Sequence, residues 1–212
     1  AMDALNQGHS VVVSAPTGSG KTLIGEYAIH RALAHGQKVF YTTPLKALSN
    51  QKLRDFRDQF GADNVGLMTG DLSVNREASI VVMTTEIFRN MLYAEADEHD
   101  DPLADVEAVV LDECHYMNDS QRGTVWEESI IHCPPSVQLV ALSATVANAG
   151  QLTDWIEKVH GPTTLVLSDY RPVPLQFSFC SAKGLHPLLN DAGSGLHPNC
   201  KVWRAPKGHK RK

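Results

Sequence analysis

The sequence has only four cysteines, and these follow no regular spacing: Cys114, Cys133, Cys180 and Cys200 contain no Cys-x-x-Cys pair. Because zinc knuckles and disulfide frameworks need ordered cysteine spacing, this pattern argues against both. His197 lies near Cys200, but two ligands are too few for a structural metal site. We expect a reducing compartment, the cytoplasm first, with a plastid or the nucleus as alternatives.

Long apolar runs are also missing. No run reaches the roughly 18 to 20 residues that a membrane-spanning helix needs, and the N-terminus lacks a basic segment followed by an apolar one. We therefore expect no membrane partner and no secretion signal. Residues 1–5 resemble the middle of a helix, so we also expect a piece of a longer protein, monomeric by itself.

Positive charge is in deficit, with 19 Lys and Arg against 24 Asp and Glu and a net charge of -5. Because the overall field repels phosphate, a nucleic-acid partner would have to be held in a local groove. A basic cluster ends the chain, at Lys201, Arg204, Lys207, Lys210, Arg211 and Lys212. Such clusters attract phosphate, but the composition of this segment favours a disordered linker.

Short apolar runs alternate with helical patterns along most of the chain, which is typical of βαβ units in a mostly parallel sheet. We predict an α/β domain over residues 1–180, with helices on both faces of its sheet, followed by a linker or disordered basic tail over 181–212. The predicted strands cover 10–14, 39–41, 65–68, 80–83, 106–111, 138–142, 164–167 and 175–179, and the predicted helices cover 21–35, 45–60, 85–93, 123–132 and 148–160. Residues 94–102 are acidic and predict an exposed loop.

The segment between the first strand and the first helix has the pattern of a phosphate-binding loop: Ala15, Pro16, Thr17, Gly18, Ser19, Gly20, Lys21 and Thr22, with Ala15 where a glycine usually stands. Gly18 and Gly20 let backbone N–H groups turn towards the β- and γ-phosphates of a nucleotide, and the helix N-terminus adds partial positive charge. Lys21 neutralises the phosphates, and Thr22 offers a hydroxyl to Mg²⁺. The alternative is a glycine-rich turn without a ligand, which the preceding valine-rich strand disfavours.

Two neighbouring carboxylates, Asp112 and Glu113, follow strand 106–111, at the strand end where α/β sheets bind ligands. Since adjacent carboxylates repel each other, the pair predicts a cation. We assign Asp112 to hold Mg²⁺ through a water molecule and Glu113 to orient and deprotonate the attacking water. We interpret His115 as a polar link to the next motif. An isolated Asp-Glu pair would indicate a solvated loop, but the phosphate loop reverses that preference.

Ser143, Ala144 and Thr145 directly follow strand 138–142. Two small hydroxyl residues at a strand end most simply cap the following helix. In this position they could instead bond to His115 or Glu113 and report the state of the phosphate.

The motifs resemble one family. APTGSGKT, TPLKALSNQ, TGD, TTEIFRN, DECH and SAT are similar, in this order, to motifs I, Ia, Ic, Ib, II and III of superfamily-two DExH-box helicases. The segments NAGQLTDWIE and YRPVPL are similar to the superkiller-like branch of RNA helicases, and DECH resembles its cyanobacterial and plastid members. The resemblance covers about residues 1–180 and implies the first RecA-like P-loop NTPase domain of a helicase, which binds ATP and Mg²⁺.

The resemblance also implies a groove for one strand of RNA, lined by Thr43, Pro44, Lys46, Thr69, Gly70, Thr84, Thr85 and Glu86. Loops that lead from strand ends into helix N-termini offer N–H groups and hydroxyls to phosphates without reading the bases. Taken singly, Thr85 is explained equally well as a helix N-cap, Pro44 as a first-turn proline and Lys46 as a solvated charge.

The resemblance further implies a second RecA-like domain with an arginine finger, and an adenine-reading glutamine motif upstream of Ala1, neither of which this sequence contains. Because such an arginine contributes about 10³- to 10⁵-fold in comparable enzymes, we expect ATP binding with little hydrolysis. The alternatives are a DNA helicase or translocase with the same engine, a hydrolysis-deficient nucleotide-dependent interaction module and, more distantly, a small-molecule P-loop kinase. The intact catalytic candidates Lys21, Asp112, Glu113 and His115 argue against the inactive module.

Overall fold

The computed structural model describes residues 1–93, 101–119, 123–181, 184–190, 192–198 and 200. The chain divides into two compact units, Ala1–Arg171 and Pro172–Lys212. The predicted acidic loop falls largely outside the described residues, and the basic cluster at the end of the chain falls outside them entirely. The division lies ahead of the predicted domain edge at residue 180, and the assignment of 181–212 to a linker stays a prediction.

The first unit alternates strands and helices. Its strands are β1 (Ser10–Ser14), β2 (Lys38–Thr43), β3 (Val65–Met68), β4 (Ser73–Val74), β5 (Ile80–Thr84), β6 (Val106–Leu111), β7 (Gln138–Ser143) and β8 (Thr163–Leu167). Its helices are α1 (Met2–Asn6), α2 (Thr22–Ala34), α3 (Lys46–Phe60), α4 (Thr85–Tyr93), α5 (Gly123–His132) and α6 (Ala149–Val159), with short 3-10 helices at Ala62–Asn64 and Cys114–Asn118.

These strands form one sheet in the order β4-β3-β5-β2-β6-β7-β1-β8. All neighbours are parallel except β3 and β4, which are antiparallel. Parallel neighbours need crossover connections. Helices on both faces provide them, except between β3 and β5, where the connection contains the short strand β4. We call the edge where the parallel strands end the carboxyl edge and the opposite edge the amino edge. The predicted mostly parallel α/β sheet is confirmed.

Alternate residues of the central strands enter two separate cores. Val11 and Val13 of β1 belong to a buried cluster with Ile29 of α2 and Phe56 of α3. Val12, between them, belongs to a second cluster that contains Trp126 of α5, Phe88 of α4 and Ile156 of α6. Since side chains alternate with a period of two, a strand covered on both faces must be apolar throughout, which explains the continuous valine runs.

Two predicted helix ends coincide with glycines in the left-handed region. Gly36 follows α2 with a φ of 71°, and Gly61 follows α3 with a φ of 89°. Because side chains disfavour this conformation, glycine ends a helix at little cost. The helices and most strands therefore begin and end within a few residues of their predicted positions.

The prediction of a final strand at 175–179 is wrong in its position. In the second unit, β9 (Ser178–Ser181) pairs antiparallel with β10 (Gly184–Pro187) in a separate two-stranded sheet. Pro172 and Pro174 precede the pair, and proline cannot donate a hydrogen bond to a strand ladder. The hairpin strand β10 and the two-residue edge strand β4 were not predicted, because neither has a recognisable apolar run.

In the described part of the chain, no helix has both the length and the apolar character needed to cross a bilayer. All four cysteines are free, and Cys114 and Cys133 are buried. Burial raises the pKa of each of these two thiols to about 12. Since the thiolate is the reactive form, both are inert core residues near neutral pH.

Candidate functional site

The phosphate loop (15–22) and the acidic motif, which consists of Asp112 and Glu113, follow strands that are separated by a single strand. β1 leads into the phosphate loop, β6 leads into Asp112 and Glu113, and β7 lies between them. The Ala15 N–H donates to the Ser143 carbonyl at 3.2 Å, and the Asp112 N–H donates to the Thr42 carbonyl at 3.0 Å. Because neighbouring strands are about 4.8 Å apart, the two loops start about 10 Å from each other, a gap that a triphosphate and its cation can bridge.

The phosphate loop has the backbone geometry of an anion cradle. Gly18 and Gly20 have φ values of 83° and 86°. A Cβ on Gly18 would meet no atom within 4 Å, so glycine is required here for its conformation rather than for space. The loop leads directly into the N-terminus of α2, which has no side-chain cap and adds partial positive charge at this point. Among the described residues, the buried Ser19 Oγ has no hydrogen-bond partner, which fits a phosphate oxygen placed inside the loop.

The Lys21 side chain lies along this loop. Its Nζ donates to the carbonyl oxygens of Ala15 at 2.8 Å and Pro16 at 3.0 Å. The ammonium group therefore lies beside the loop that is expected to bind phosphate. A phosphate oxygen can replace either carbonyl as the acceptor of its hydrogen bonds.

The charges around Lys21 link the loop to the acidic motif. Burial lowers the pKa of Lys21 from its ordinary value, while the negative charges of Glu113 and Asp112 act to raise it. The positive charge of Arg171 adds to the lowering of this pKa. Since such effects weaken with distance, they agree with the strand order, which places Lys21 and the two carboxylates at the same edge of the sheet.

The acidic motif holds its carboxylates in fixed places. Asp112 accepts the Glu113 N–H at Oδ1 over 2.9 Å and the Tyr41 hydroxyl at Oδ2 over 2.8 Å. Glu113 has φ 54° and ψ 41°, in the left-handed region. Placing a non-glycine residue in this region costs about 1 to 3 kcal/mol of folding free energy, and such strain concentrates at functional sites.

Three residues of this site were not predicted from the sequence. Tyr41 is fully buried, and burial together with the nearby Asp112 raises its pKa well above the usual value. Lys52 of α3 places its Nζ 5.3 Å from the centre of the Tyr41 ring and 3.5 Å from Thr22 Oγ1. Arg171 is the third. Only Lys52 left a signal, because it precedes the buried Phe56 by one helical turn on the inward face of α3.

His115 lies between the acidic motif and the end of β7. Its Nδ1 is 3.3 Å from Glu113 Oε2 and 3.4 Å from the Ala144 backbone nitrogen. One ring nitrogen can donate to the carboxylate or accept from the amide, but it cannot do both. The geometry is that of the predicted link, although it runs through the Ala144 amide and not through the hydroxyls of Ser143 or Thr145.

The alternative interpretation of Ser143, Ala144 and Thr145, as a cap for the next helix, has no support in the geometry. The Ser143 hydroxyl donates to the Ala144 carbonyl at 2.8 Å. The next helix begins only at Ala149, with Asn148 at the capping position and no side-chain capping bond.

A groove with a volume of about 430 Å³ lies beside the nucleotide cleft at the carboxyl edge. It is lined by Pro44, Leu45, Lys46, Gly70, Thr84, Glu86, Ile87 and Asn90, and thus brings together five of the eight residues predicted to contact RNA. The Lys46 ammonium forms an exposed ion pair with Asp71 at 2.8 Å. Lys46 and Thr69, which donate hydrogen bonds to this carboxylate, lower the pKa of Asp71.

The hydroxyls of the remaining three predicted groove residues bond to other groups of the protein. Thr43 and Thr85 have no exposed surface; Thr43 Oγ1 lies 2.7 Å from Ser49 Oγ, and the Thr85 hydroxyl donates to the Thr43 carbonyl at 3.3 Å. Thr69 donates to Asp71 Oδ1 at 3.0 Å. The side chains of Thr43 and Thr85 hold the floor of the groove in place, so any contact that these two residues make with a strand must come from their backbone.

Oxygen donors at the cleft suit a hard cation. The Thr22 hydroxyl and the Asp112 carboxylate are the predicted Mg²⁺ groups, and Mg²⁺ typically takes one or two protein oxygens, phosphate oxygens and several waters. Within the described ranges, no group of three or more His, Cys, Asp or Glu is placed to hold a metal ion. A set of two protein oxygens leaves coordination positions for phosphate oxygens and water, so these donors fit a cation that binds together with a nucleotide.

Residues 1–152 match the family model described as DEAD/DEAH box helicase. The chain is 57% identical over 199 residues to the chloroplastic DExH-box ATP-dependent RNA helicase DExH15 of Arabidopsis thaliana, a match that covers 93% of this chain and 17% of that protein. It is 46% identical over 196 residues to the antiviral helicase SKI2 of Saccharomyces cerevisiae, covering 92% of this chain and 15% of that protein.

A solved structure shows a similar fold. The Mycobacterium smegmatis helicase Lhr bound to ssDNA and AMP-PNP aligns with a TM-score of 0.62 and 28% identity, over 78% of this chain and 24% of that chain. The chain therefore spans less than a quarter of the length of each of these three proteins.

Proposed function

The chain belongs to the DEAD/DEAH box helicase family, and from that premise we propose that it is the first motor domain of an ATP-dependent RNA helicase. The resemblance of its motifs to superfamily-two DExH-box helicases of the superkiller-like branch is confirmed by the family match and the yeast relative. In this function the domain binds ATP with Mg²⁺ and the backbone of one strand. Its ATP hydrolysis is coupled to unwinding or remodelling of RNA.

One observation carries the proposal: the phosphate loop follows β1 and the acidic motif follows β6, with only β7 between these strands at the carboxyl edge. The negative charges of Glu113 and Asp112 act to raise the pKa of Lys21, which agrees with this placement. On nucleotide binding, Lys21 exchanges the carbonyls of Ala15 and Pro16 for phosphate oxygens. The Ser19 hydroxyl, which has no hydrogen-bond partner among the described residues, then donates to a phosphate oxygen.

The metal site consists of Thr22, through its hydroxyl, and Asp112, through a water molecule. Mg²⁺ bound there screens the phosphate charges and stabilises the charge that develops during phosphoryl transfer. Glu113 orients the attacking water and accepts its proton. His115 then links this carboxylate to Ala144, so the state of the phosphate can reach the end of β7.

RNA is the proposed partner because the Arabidopsis relative is named as an RNA helicase. The groove itself carries Lys46, a cation that can contact the phosphates of a strand without reading its bases. A DNA helicase or translocase is the second candidate, since the similar Mycobacterium structure contains ssDNA. Both functions use the same grip on phosphate.

We also propose that the full-length protein contains a second RecA-like domain. This second domain is the partner of the first and supplies the arginine finger. We therefore expect this chain to bind ATP but to hydrolyse it slowly, since such an arginine contributes about 10³- to 10⁵-fold. RNA-stimulated turnover at the full helicase rate by this chain alone would contradict that expectation. The location in a reducing compartment, whether cytoplasm, plastid or nucleus, is likewise part of the proposal.

The nucleotide site is tested by titrating a fluorescent ATP analogue with Mg²⁺ into the wild type and the Lys21→Ala variant. Losing a charge-assisted bond to phosphate costs about 1.5 to 3 kcal/mol, so affinity falls by about 10- to 100-fold. The matched control is Lys38→Ala, which removes a lysine paired with Glu77 at the amino edge and leaves affinity unchanged. Equal affinity of wild type and Lys21→Ala would refute the proposed site.

The choice between RNA and DNA is tested by competition. Single-stranded RNA and DNA of matched sequence compete for the chain at one fixed salt concentration, because phosphate binding depends strongly on salt. The proposal expects RNA to displace DNA at the lower concentration. Equal competition would favour the second candidate.

A further inference from the structure

Tyr41 brings a buried hydroxyl to the acidic motif, and the proposed mechanism does not yet use it. The residue lies on β2, next to β6, and pairs with Val110 just before the acidic motif. Its side chain is fully buried, and its hydroxyl donates to Asp112 Oδ2 at 2.8 Å. The contact joins the nucleotide cleft to the core beneath α2 and α3.

The Tyr41 ring is held from two helices. The Phe56 ring of α3 meets it edge-on at a centroid distance of 4.9 Å. From α2, Gly25 approaches so closely that a Cβ added there would lie 3.0 Å from Tyr41 Cε2. Lys52 Nζ stands 5.3 Å from the ring centre. A ring confined in this way has little freedom to rotate, so its hydroxyl points in one direction.

The hydroxyl completes the fixing of the Asp112 carboxylate. Oδ1 accepts the Glu113 N–H at 2.9 Å, and Oδ2 accepts the Tyr41 hydroxyl. With one donor on each oxygen, rotation of the carboxylate would break a hydrogen bond on both sides. Each oxygen keeps further acceptor capacity for a water molecule in the cleft.

Packing alone does not explain a tyrosine at this position. The surrounding cluster is apolar, and a phenylalanine would fill the same volume without bringing a polar group into the core. A buried hydroxyl is tolerated only where it has a partner, and here the partner is the carboxylate assigned to the metal.

We propose that Tyr41 is a positioning residue of the magnesium site, which orients Asp112 so that the carboxylate faces the metal-bound water. The inference rests on the proposed function, since it assumes that Asp112 serves Mg²⁺. Residues that hold a metal ligand in place typically change metal affinity by about 10- to 100-fold when they are removed.

The test compares Tyr41→Phe with the wild type in nucleotide binding as a function of Mg²⁺ concentration, using a fluorescent ADP analogue and a parallel series in EDTA. We expect the Mg²⁺ concentration for half-maximal enhancement to rise by about tenfold. Affinity in EDTA stays unchanged, because the phosphate loop is intact. The matched control is Tyr27→Phe, which loses a hydroxyl bond to Asn6 Oδ1 of 2.7 Å away from the acidic motif and keeps the wild-type Mg²⁺ dependence.

A second variant keeps every hydroxyl. Gly25→Ala adds the Cβ that crowds the Tyr41 ring, and alanine is a better helix former than glycine, so α2 is retained. We expect its Mg²⁺ dependence to move in the same direction as that of Tyr41→Phe, by a smaller factor.

The Asp112→Asn variant distinguishes a failure of the role assigned to Tyr41 from a failure of the proposed metal site. If Asp112→Asn loses the Mg²⁺ dependence while Tyr41→Phe and Gly25→Ala keep it, the role of Tyr41 is overturned and the proposed site stands. A decrease in affinity for Tyr41→Phe that is equal with and without Mg²⁺ would also overturn this role, since it indicates packing alone. If the wild type shows no Mg²⁺-dependent binding, or Asp112→Asn behaves like it, the proposed metal site itself fails.

Discussion

The carboxyl and amino edges of the same sheet both carry charged groups, but they use them differently. At the amino edge, Arg31 binds Glu107 at 2.5 Å and also donates to the Leu5 carbonyl and the Gln138 side chain. Gln138 in turn donates to the carbonyls of Leu5 at 3.1 Å and His9 at 2.8 Å. These groups satisfy one another, so they hold the start of the sheet together.

At the carboxyl edge the groups are held in place, but their hydrogen-bonding capacity is not fully satisfied within the protein. Glu113 is kept in the left-handed region, Ser19 Oγ has no partner among the described residues, and Lys21 rests on carbonyls of its own loop. Such features cost stability, and they make sense where a ligand supplies the missing partners. Burial and charge alone therefore do not distinguish the two edges. The difference is that an unpaired hydroxyl, a lysine held by its own loop and a strained carboxylate residue occur together at the carboxyl edge.

The largest effect is expected at the amino edge. Glu107→Ala leaves Arg31 without its carboxylate, and both side chains are largely buried, with 10% and 13% of their surface exposed. Removing one member of such a pair costs about 3 kcal/mol of unfolding free energy. For a chain of this size that lowers the melting temperature by about 6 to 12 °C, as measured by calorimetry.

Nucleotide affinity of the Glu107→Ala variant at a temperature where it is folded should equal that of the wild type. The milder Glu107→Gln keeps an acceptor for Arg31 and should lose less stability. A large decrease in nucleotide affinity with little change in melting temperature would break the comparison, because it would place the amino edge in the site.

Ser19→Ala at the carboxyl edge should behave in the opposite way. Its hydroxyl bonds to nothing described in the protein, so its removal leaves the melting temperature unchanged or slightly higher. Without a donor to phosphate, nucleotide affinity falls by about tenfold, or about 1.4 kcal/mol. Titration with a fluorescent ATP analogue measures this change, and unchanged affinity would show that Ser19 does not face the phosphates.

Much of this contrast was predictable from the sequence, because local pattern determines it. The valine runs of β1 and β6, the Gly-Lys-Thr turn and the Asp-Glu pair indicated both the parallel sheet and the edge where its ligand binds. A period of two in a strand and glycines at positive φ are properties of neighbouring residues, so the chain itself displays them.

The contacts across strands were not predictable in the same way. Tyr41 and Asp112 are 71 positions apart, and their bond depends on the order β2-β6, which no local pattern states. The same holds for Thr85, whose hydroxyl donates to the Thr43 carbonyl, so that two predicted RNA contacts prove to be buried side chains. Short or weakly patterned strands such as β4 and β10 lacked any signal of their own.

The smallest expected effect concerns pH. His160 follows α6 near the amino edge, and burial lowers its pKa below the usual 6.5, although the carbonyls of Pro134 and Val137 oppose the shift. Because the unfolded chain then binds the proton more readily, His160 contributes stability above about pH 6.5, and this is lost as the pH falls through the lowered pKa. Urea unfolding between pH 7.5 and 5 should therefore show decreasing stability.

A His160→Leu variant should show less of this decrease, because it has no group to protonate at that position. An identical pH dependence in both proteins would contradict the assigned role of His160 and move the effect to another histidine.

The central claim is that the phosphate loop and the acidic motif share a single cleft. The direct measurement is a crystal structure with AMP-PNP and Mn²⁺, in which anomalous scattering locates the metal. We predict one Mn²⁺ between the Thr22 hydroxyl and the Asp112 carboxylate, with the nucleotide phosphates against Lys21 and Ser19. A metal bound away from Asp112, or phosphates that do not contact Lys21, would contradict the account.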